Sequence, residues 1–197
     1  KLQINTPKRN LPPLVFQETA NEDPVNRNTS LNEAQAIADF VANHPEKSIG
    51  IITPFVAQKQ LIDQELSSRG VAATCGTVHT FQGDEKDIIL FSFAQTKRTA
   101  QNTYNWFAGN KELINVAVSR AKEELVIFSN SETLNRLRKD NDDLYELVQY
   151  VKTKGEYKVT PKHSHSRALG VKTYSTKTES DFFENIGHVL SVVDPRK

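Results

Sequence analysis

The chain has almost none of the residues that would mark a disulfide scaffold or a membrane protein. Its 197 residues include one cysteine, Cys75, so an internal disulfide is excluded and a reducing compartment is expected. No apolar run approaches the roughly 20 residues that cross a bilayer, and no signal peptide opens the chain. We therefore expect a cytoplasmic protein without a membrane partner, in which Cys75 fills space.

The chain also has no charge excess. It carries 25 basic and 24 acidic residues, a net charge of +1, so any nucleic-acid site must be a local patch. Apolar residues make up 37%, enough for one core in a single domain with an appendage. Because the sequence opens at Lys1 instead of methionine, we expect a piece excised from a longer protein.

The common catalytic motifs are missing as well. No phosphate-binding loop of the type G-x-x-x-x-G-K-[ST] occurs. Residues 170–173 (GVKT) resemble the last residues of that motif but lack its spacing and its first glycine. No H-E-x-x-H helix, cysteine–histidine cluster or G-x-S-x-G elbow occurs either. The sequence therefore predicts no metal site and no complete catalytic machinery.

What the chain does have is an alternation of strand and helix patterns. Apolar runs predict strands at 14–18, 49–52, 71–78, 88–93 and 125–128. Helical periodicity predicts three helices. The first covers 31–43. The second is capped by Thr53, begins at Pro54 and ends at Gly70, and the third runs from an Asn110 cap to Ser119. Ser30 and Glu33 form a predicted capping box, and residues 95–109 read as a surface loop. The alternation predicts an α/β fold with a parallel sheet covered by helices on both faces.

The C-terminal third follows a different pattern. Apolar residues between 134 and 151 predict two amphipathic helices that pack on the sheet domain. Residues 154–177 carry six lysines or arginines against one glutamate and read as a basic linker. Residues 178–197 predict one more helix, either a docking helix or the start of a further domain. The domain prediction is an irregular segment at 1–13, a domain at 14–153, the linker and this helix.

Three segments carry a family resemblance. ITPFVAQ (52–58), GTVHTFQGDEKDIIL (76–90) and NVAVSRAKEELVIFSN (115–130) resemble, in order and spacing, motifs IV, V and VI of superfamily 1 helicases. The similar branch contains the nonsense-mediated-decay helicase and the replication helicase–nucleases. The resemblance implies the second, C-terminal RecA-like domain, of the P-loop NTPase type, and a motor that uses ATP and Mg²⁺. Both would be held mainly by an N-terminal RecA-like domain that is its partner. The tail resembles nuclease-like domains of some bacterial proteins, so a bacterial cytoplasm is expected.

The resemblance assigns an ATP-binding set. Arg120, at the motif VI arginine, is the expected catalytic arginine finger, because a guanidinium stays charged when it is desolvated. The other expected ATP contacts are Gln58, Lys59, Gly83 and Glu85. Lys59 stands where the family often has arginine, and Asp84 where it often has a basic residue, so both departures weaken the match.

It also assigns a backbone contact to single-stranded DNA or RNA, through Thr53, Pro54, Thr77, His79 and Thr80. Short polar groups past strand ends bind phosphate oxygens without reading bases.

Each assignment has a plainer alternative. Arg120 could be a surface arginine paired with Glu123 or Glu124. Gln82 and Gly83 could form only a turn, and Glu85 could be a solvated neighbour of Lys86. Phe55 could be a core residue and not a contact to adenine, and Gln58 could be a helix residue that faces solvent. Thr53 could serve only as a helix cap, and His79 could have only a structural role. For the whole chain, the alternatives are a nucleic-acid-binding or docking module without ATP coupling, and the helicase part of a DNA-repair helicase–nuclease fusion.

Overall fold

The computed structural model describes residues 13–77, 80, 85–140 and 142–160. The strands are Leu14–Glu18 (β1), Ile49–Ile52 (β2), Thr74–Gly76 (β3), Lys86–Ser92 (β4), Ala121–Ser129 (β5) and Glu156–Val159 (β6). The helices are Leu31–Asn43 (α1), Val56–Ser68 (α2), Gln101–Ala108 (α3), Lys111–Ser119 (α4), Ser131–Leu137 (α5) and Asp143–Lys154 (α6). Residues 1–12 of the irregular segment predicted at 1–13, and the C-terminal helix predicted at 178–197, lie outside the described residues.

The strands form one parallel sheet in the order β3-β2-β4-β5-β1-β6. The two longest strands, β4 and β5, lie side by side in the middle. Since every pair is parallel, all strands end at one edge of the sheet and begin at the other. We call these the carboxyl edge and the amino edge.

Helices cover both faces of the sheet, because the central strands are apolar on both sides. On β4, Ile88 and Leu90 face the core beneath α1 and α2, whereas Ile89 and Phe91 face the core beneath α3 to α6. All four side chains are 0% exposed. The predicted α/β fold with a doubly covered parallel sheet is confirmed.

Several element bounds match the prediction. The strands at 14–18 and 49–52 and the helix at 31–43 are as expected, and the chain leaves α2 through Gly70 at a φ of +65°. The strand predicted at 71–78 is shorter, because only Thr74–Gly76 pairs with β2. The strand predicted at 125–128 is longer and begins at Ala121.

The predicted start of α2 is wrong. The helix begins at Val56 after Phe55 as N-cap, and not at Pro54 after Thr53. The amide of Thr53 donates to the carbonyl of Gly76 at 3.1 Å, which holds the residue in the extension of the sheet. Its hydroxyl lies 3.5 Å from the amide of Phe55, a weak contact.

The capping box at the start of α1 is half correct. The Ser30 hydroxyl accepts from the Glu33 amide at 3.2 Å, as predicted. Glu33 does not reach back. Instead, the Gln58 side chain accepts from the Ser30 amide at 2.7 Å, and the Glu33 carboxylate turns into the protein.

The surface loop predicted at 95–109 contains α3, so that prediction is wrong. Tyr104 and Phe107, three residues apart, are both 0% exposed and pack on the sheet. The Tyr104 hydroxyl donates to Asp142, the N-cap of α6, at 2.6 Å. Burial of two aromatic side chains, each worth about 1.5–3 kcal/mol, outweighs the polar composition of the stretch.

The first residues of the predicted basic linker are also ordered into the sheet. Residues Glu156–Val159 form β6, which pairs with β1 in parallel at the sheet edge. The Tyr157 ring stacks on Phe16 with centroids 6.0 Å apart, and its hydroxyl donates to Glu18 at 3.0 Å. The linker prediction fails for these four residues, and the part from 161 onward lies outside the described residues.

Candidate nucleotide and nucleic-acid site

The structure divides the candidate residues between the two edges of the sheet. Thr53 follows β2 and Thr77 follows β3, so both lie at the carboxyl edge. Glu85 and Arg120 immediately precede β4 and β5, so both lie at the amino edge. The four-residue strand β2 alone is about 13 Å long, so the two groups are well separated.

At the carboxyl edge, three predicted nucleic-acid contacts are open to solvent. Thr80 is exposed, and Pro54 and Thr77 are half-buried. The amide of Thr80 donates to the carbonyl of Thr77 at 3.0 Å, and the Thr80 side chain lies against Gly76. Thr77 and Thr80 thus place two hydroxyl groups just past the end of β3, and hydroxyl groups are common contacts to phosphate oxygens.

Thr53 does not belong to that open group. It is 0% exposed, and its amide is bonded to Gly76. The structure therefore corrects the prediction for Thr53: its hydroxyl supports the loop after β2 and is not presented to a strand.

Gln58 is likewise not presented to a nucleotide. The side chain is 0% exposed, and its Nε2 donates to the Ser30 carbonyl at 3.0 Å and to the Ser92 hydroxyl at 3.1 Å. With the bond from the Ser30 amide, Gln58 joins α1, α2 and β4. Both the predicted ATP contact and its solvent-facing alternative are corrected, because internal polar groups occupy this amide.

Phe55 follows its plainer alternative. It is 7% exposed and lies against Trp106 and Phe107, with ring centroids 5.8 and 6.4 Å away. It is therefore a core residue at the carboxyl edge.

Lys59 lies in the first turn of α2 with its side chain 37% exposed. Its Nζ bonds Asp63 at 2.6 Å, and this hydrogen bond raises the pKa of the lysine. An exposed pair one helical turn apart contributes only about 0.3–0.5 kcal/mol, so a stronger anion could displace Asp63.

The amino edge holds Glu85 and Arg120 together. The Lys86 amide donates to the Arg120 carbonyl at 3.0 Å, so the residue after Glu85 is bonded directly to Arg120. Asp87 fixes the start of β4 by accepting from the amide and hydroxyl of Ser48, at 2.9 and 2.7 Å. Glu85 is exposed, and its carboxylate lies 3.8 Å from the Lys122 Nζ, a long ion pair.

Arg120 is held at the C-terminal end of α4 with part of its guanidinium unsatisfied. Its Nε is buried and has no hydrogen-bond partner among the described residues. The Asn115 Oδ1, in the same NVAVSRA run, is also buried without a partner in that part of the chain. An orphaned guanidinium nitrogen costs free energy, and a bound anion would relieve it.

The plainer alternative for Arg120, an ion pair with the next acidic residues, is not what the structure has. Glu123 pairs with Lys47 at 2.6 Å. Glu124 is 2% exposed, and burial raises its pKa to about 7. Among the described residues, neither carboxylate bonds Arg120.

Six residues of the motif V segment lie outside the described residues: Val78, His79, Phe81, Gln82, Gly83 and Asp84. The strand contact predicted for His79 and the ATP contact predicted for Gly83 stay predictions.

Sequence reasoning missed a buried carboxylate beside this site. Glu33 is 0% exposed, and its Oε2 accepts from the Ser92 hydroxyl at 2.7 Å and the Ala94 amide at 2.8 Å. Burial raises its pKa to about 8. From the sequence, Glu33 is predicted only as part of a capping box, which gives no indication of these partners.

No described helix is long and apolar enough to cross a membrane. No three or more histidine, cysteine or carboxylate side chains lie close enough together, within that part of the chain, to hold a metal ion.

Comparison with known proteins decides the family. A model of the AAA domain family matches residues 5–132. The chain belongs to this family. The motif-based resemblance to superfamily 1 helicases is thereby confirmed, and the match spans β1 to β5, including all three motif segments.

Two relatives of the chain, one from a yeast and one from a plant, are named as helicases. The chain is 34% identical over 132 residues to the DNA polymerase alpha-associated DNA helicase A of Saccharomyces cerevisiae, covering 61% of this chain and 18% of that protein. It is 33% identical over 105 residues to the DNA replication ATP-dependent helicase/nuclease JHS1 of Arabidopsis thaliana, covering 53% of this chain and 8% of that protein. The chain thus spans less than a fifth of the length of these relatives.

A solved structure gives a weaker likeness. The C-terminal domain of a possible DNA helicase from Lactobacillus plantarum matches with 18% identity and a TM-score of 0.42, covering 64% of this chain and 80% of that chain.

Proposed function

We propose that this chain is the second RecA-like domain of an ATP-dependent helicase, which completes an ATP site at its amino edge and contacts single-stranded nucleic acid at its carboxyl edge. The observation that carries the proposal is the buried, unpartnered Nε of Arg120, pinned beside Glu85 in a family whose named relatives are helicases.

The amino edge offers a cationic group to a phosphate. The Arg120 guanidinium is charged and planar, and it retains donors that no described carboxylate occupies. If a facing N-terminal RecA-like domain holds ATP and Mg²⁺, ATP would supply the phosphoryl group and Mg²⁺ would neutralise part of its charge. Arg120 would stabilise the charge on the phosphoryl oxygens, and the exposed Glu85 would contact the nucleotide or link the cleft to the strand-binding face.

The carboxyl edge supplies the strand contact. Pro54, Thr77 and Thr80 form its open part, together with His79 from the segment outside the described residues. Phosphate contacts of this kind do not read the base sequence and do not distinguish DNA from RNA.

The test uses a protein that contains this chain together with its P-loop domain. Arg120→Ala should lower strand-stimulated ATP turnover by about 10³- to 10⁵-fold, and Arg120→Lys should recover only part of it, because lysine lacks the planar fork. Strand affinity without nucleotide should not change. The matched control is Arg138→Ala, an arginine whose guanidinium lies over the Tyr145 ring, 5.0 Å from its centroid. Wild-type turnover in Arg120→Ala would remove the assignment. The 197-residue chain alone should hydrolyse no ATP.

A second function, a nucleic-acid-binding or docking module without ATP coupling, is favoured by one observation. Lys59, at the motif IV position for a phosphate contact, is occupied by Asp63. If this function is correct, saturating ATP will leave the strand affinity of the P-loop-containing protein unchanged. A coupled motor will show a nucleotide-dependent change of at least severalfold.

The cytoplasmic location and the bacterial source stay predictions. A nuclease domain elsewhere in the protein, as the name of the Arabidopsis relative includes, is a further prediction for the whole protein.

A further inference from the structure

The one tryptophan of the chain lies on the surface beside the carboxyl edge. Trp106, on α3, is 54% exposed, although its ring is among the largest apolar groups a protein has. It rests on Phe55 with ring centroids 5.8 Å apart and planes inclined by 38°, so one face of the indole is supported. Val56, the next residue along the chain from Phe55, is 63% exposed.

Trp106 is continuous with the proposed strand contact. Phe55 directly follows Pro54, one of the open residues at the carboxyl edge. The indole therefore lies next to the loop after β2, where a bound backbone would pass.

A basic cavity begins at the other end of the same helix. It has a volume of about 290 Å³ and is lined by Arg27, Asn28, Arg98, Thr99 and Thr103, among others. Thr103 and Trp106 are three residues apart on α3, so they lie on the same helix face, one turn from each other. Ala100, the N-cap of α3, has no side-chain oxygen with which to cap the first amides.

The charge of this cavity favours an anion. Arg27 and Arg98 are both exposed, and Lys97 is exposed beside them. Arg136 donates to the carbonyls of Thr96, Lys97 and Thr99, each at 3.2 Å, which fixes the loop that carries Arg98. One carboxylate opposes them: Asp23 accepts from the Arg98 Nε at 2.8 Å in an exposed pair. Such a pair is weak, and a phosphate can compete for the guanidinium.

We propose that the exposed face of α3 is a single-strand contact, in which Trp106 stacks on an unpaired base and the Arg27–Arg98 cavity takes a neighbouring backbone phosphate. The inference rests on the proposed function and names the surface by which that function holds its strand. Aromatic platforms beside a basic groove are how proteins bind single strands without sequence preference, since every base offers a π-face.

A protein partner fits this surface less well. A stable protein interface buries about 800 Å² on each side around an apolar centre. Here the exposed apolar groups are one indole and two separate valines, Val56 beside Phe55 and Val25 in the wall of the cavity, and polar and basic residues lie around them. An isolated aromatic ring among polar and cationic groups matches a base and its phosphate.

The single tryptophan makes the test direct, because all tryptophan emission of the chain reports on this position. Titration of the 197-residue chain with oligo(dT) of about 16 nucleotides should quench that emission saturably. Trp106→Ala should weaken binding, measured by anisotropy of a labelled strand, by about 5- to 150-fold. Trp106→Phe, which keeps an aromatic face, should stay within about threefold of wild type. The exposed apolar control, Val159→Ala on β6, should bind as wild type.

An abasic strand of the same length separates the two halves of the contact. Wild type and Trp106→Ala should bind it equally, because it offers phosphates but no bases. Arg27→Ala and Arg98→Ala should each reduce the slope of log affinity against log salt by about 0.7.

Two results would overturn the proposal, and they are distinguishable. If the strand binds while the emission and the Trp106→Ala affinity stay unchanged, the α3 surface is not the contact, and the proposed function survives. If the chain binds no strand at low salt, the proposed strand contact fails along with this inference.

Discussion

The hydroxyl of Ser92, at the end of β4, donates to the carboxylate of Glu33, in the first turn of α1, at 2.7 Å. The same carboxylate accepts from the amide of Ala94, whose φ of +51° is costly for a residue with a Cβ. Gln58 joins the cluster through Ser92 and Ser30. One buried network thus holds the ends of two helices and the central strand directly behind the carboxyl edge.

Glu33 should make stability depend on pH. An unfolded glutamate titrates near pH 4.5, whereas burial raises the folded pKa to about 8. Between these values the folded chain keeps a proton that the unfolded chain has released, so stability falls as pH rises through this window. Glu33→Gln, always neutral, should be more stable than wild type at about pH 8, by an amount on the order of 3–5 kcal/mol, and equal to it near pH 4.

Denaturant unfolding across that pH range measures the effect. The pKa of Glu124 is also raised, so the Glu33→Gln variant should still lose some stability as pH rises. The double variant Glu33→Gln/Glu124→Gln should remove this remaining dependence of stability on pH. The exposed Glu46→Gln should keep the wild-type profile. An unchanged profile in Glu33→Gln would show that this carboxylate is ionised in the fold.

Gln58 should prove a structural residue. Gln58→Ala removes three internal hydrogen bonds and leaves the Ser30 amide buried without its acceptor. We expect a loss of about 2–4 kcal/mol in the free energy of unfolding. Gln64→Ala, on the exposed side of the same helix, should change it by less than about 0.5 kcal/mol. Normal stability of Gln58→Ala with weakened ATP binding in the P-loop-containing protein would restore the original prediction.

Gly76 should be intolerant of a side chain because Thr80 lies above it. A Cβ at Gly76 would lie 2.1 Å from the Thr80 Oγ1 and 2.3 Å from the Thr80 Cβ. Gly76→Ala should therefore cost about 1–3 kcal/mol and displace Thr80. Thr80→Gly in the same chain should recover most of that stability, since it removes the clashing atoms. Thermal unfolding of the two variants decides it, and absence of recovery would point to a contact other than Thr80.

Tyr104 should report whether α3 is anchored as described. Its hydroxyl donates to Asp142, and burial raises the pKa of that phenol. Tyr104→Phe should cost about 1–3 kcal/mol, because the buried Asp142 Oδ2 loses its shorter hydrogen bond and keeps only the 3.2 Å bond from the Lys139 amide. Tyr145→Phe, whose hydroxyl bonds Asn135 at the surface, should cost less than about 1 kcal/mol. If Tyr104→Phe is as stable as wild type, the result would favour the original prediction that residues 95–109 form a surface loop.

Local pattern predicted the framework of the fold well. The predicted strands at 14–18 and 49–52 and the predicted helix at 31–43 are confirmed. A strand that is buried on both faces has a continuous apolar sequence, and a helix that is buried on one face has apolar residues about every 3.6 positions. The pattern failed at α3, where Tyr104 and Phe107 have the spacing of a buried helix face but lie among eight residues that are otherwise mostly polar. It also failed at β6, where four residues pair with a strand more than 130 positions earlier.

The candidate site was predicted only in part. The motifs named Glu85 and Arg120, which the fold holds side by side through the Lys86 amide. They did not reveal that Thr53 and Gln58 are buried, or that Gln58 and Lys59 lie at the opposite edge of the sheet from Arg120. A polar side chain looks the same in sequence whether it faces solvent or an internal partner.

The sequence by itself determined the class of fold, the family and the arginine at the end of α4, because periodicity and short motifs are properties of neighbouring residues. Only the tertiary structure decided which polar groups are used internally and which are open to a ligand. Glu33 and Gln58 bond partners that are 28 to 61 positions away in the sequence. Trp106 packs on the ring of Phe55, the N-cap of α2. Such pairings depend on how the chain packs, and no local pattern encodes them.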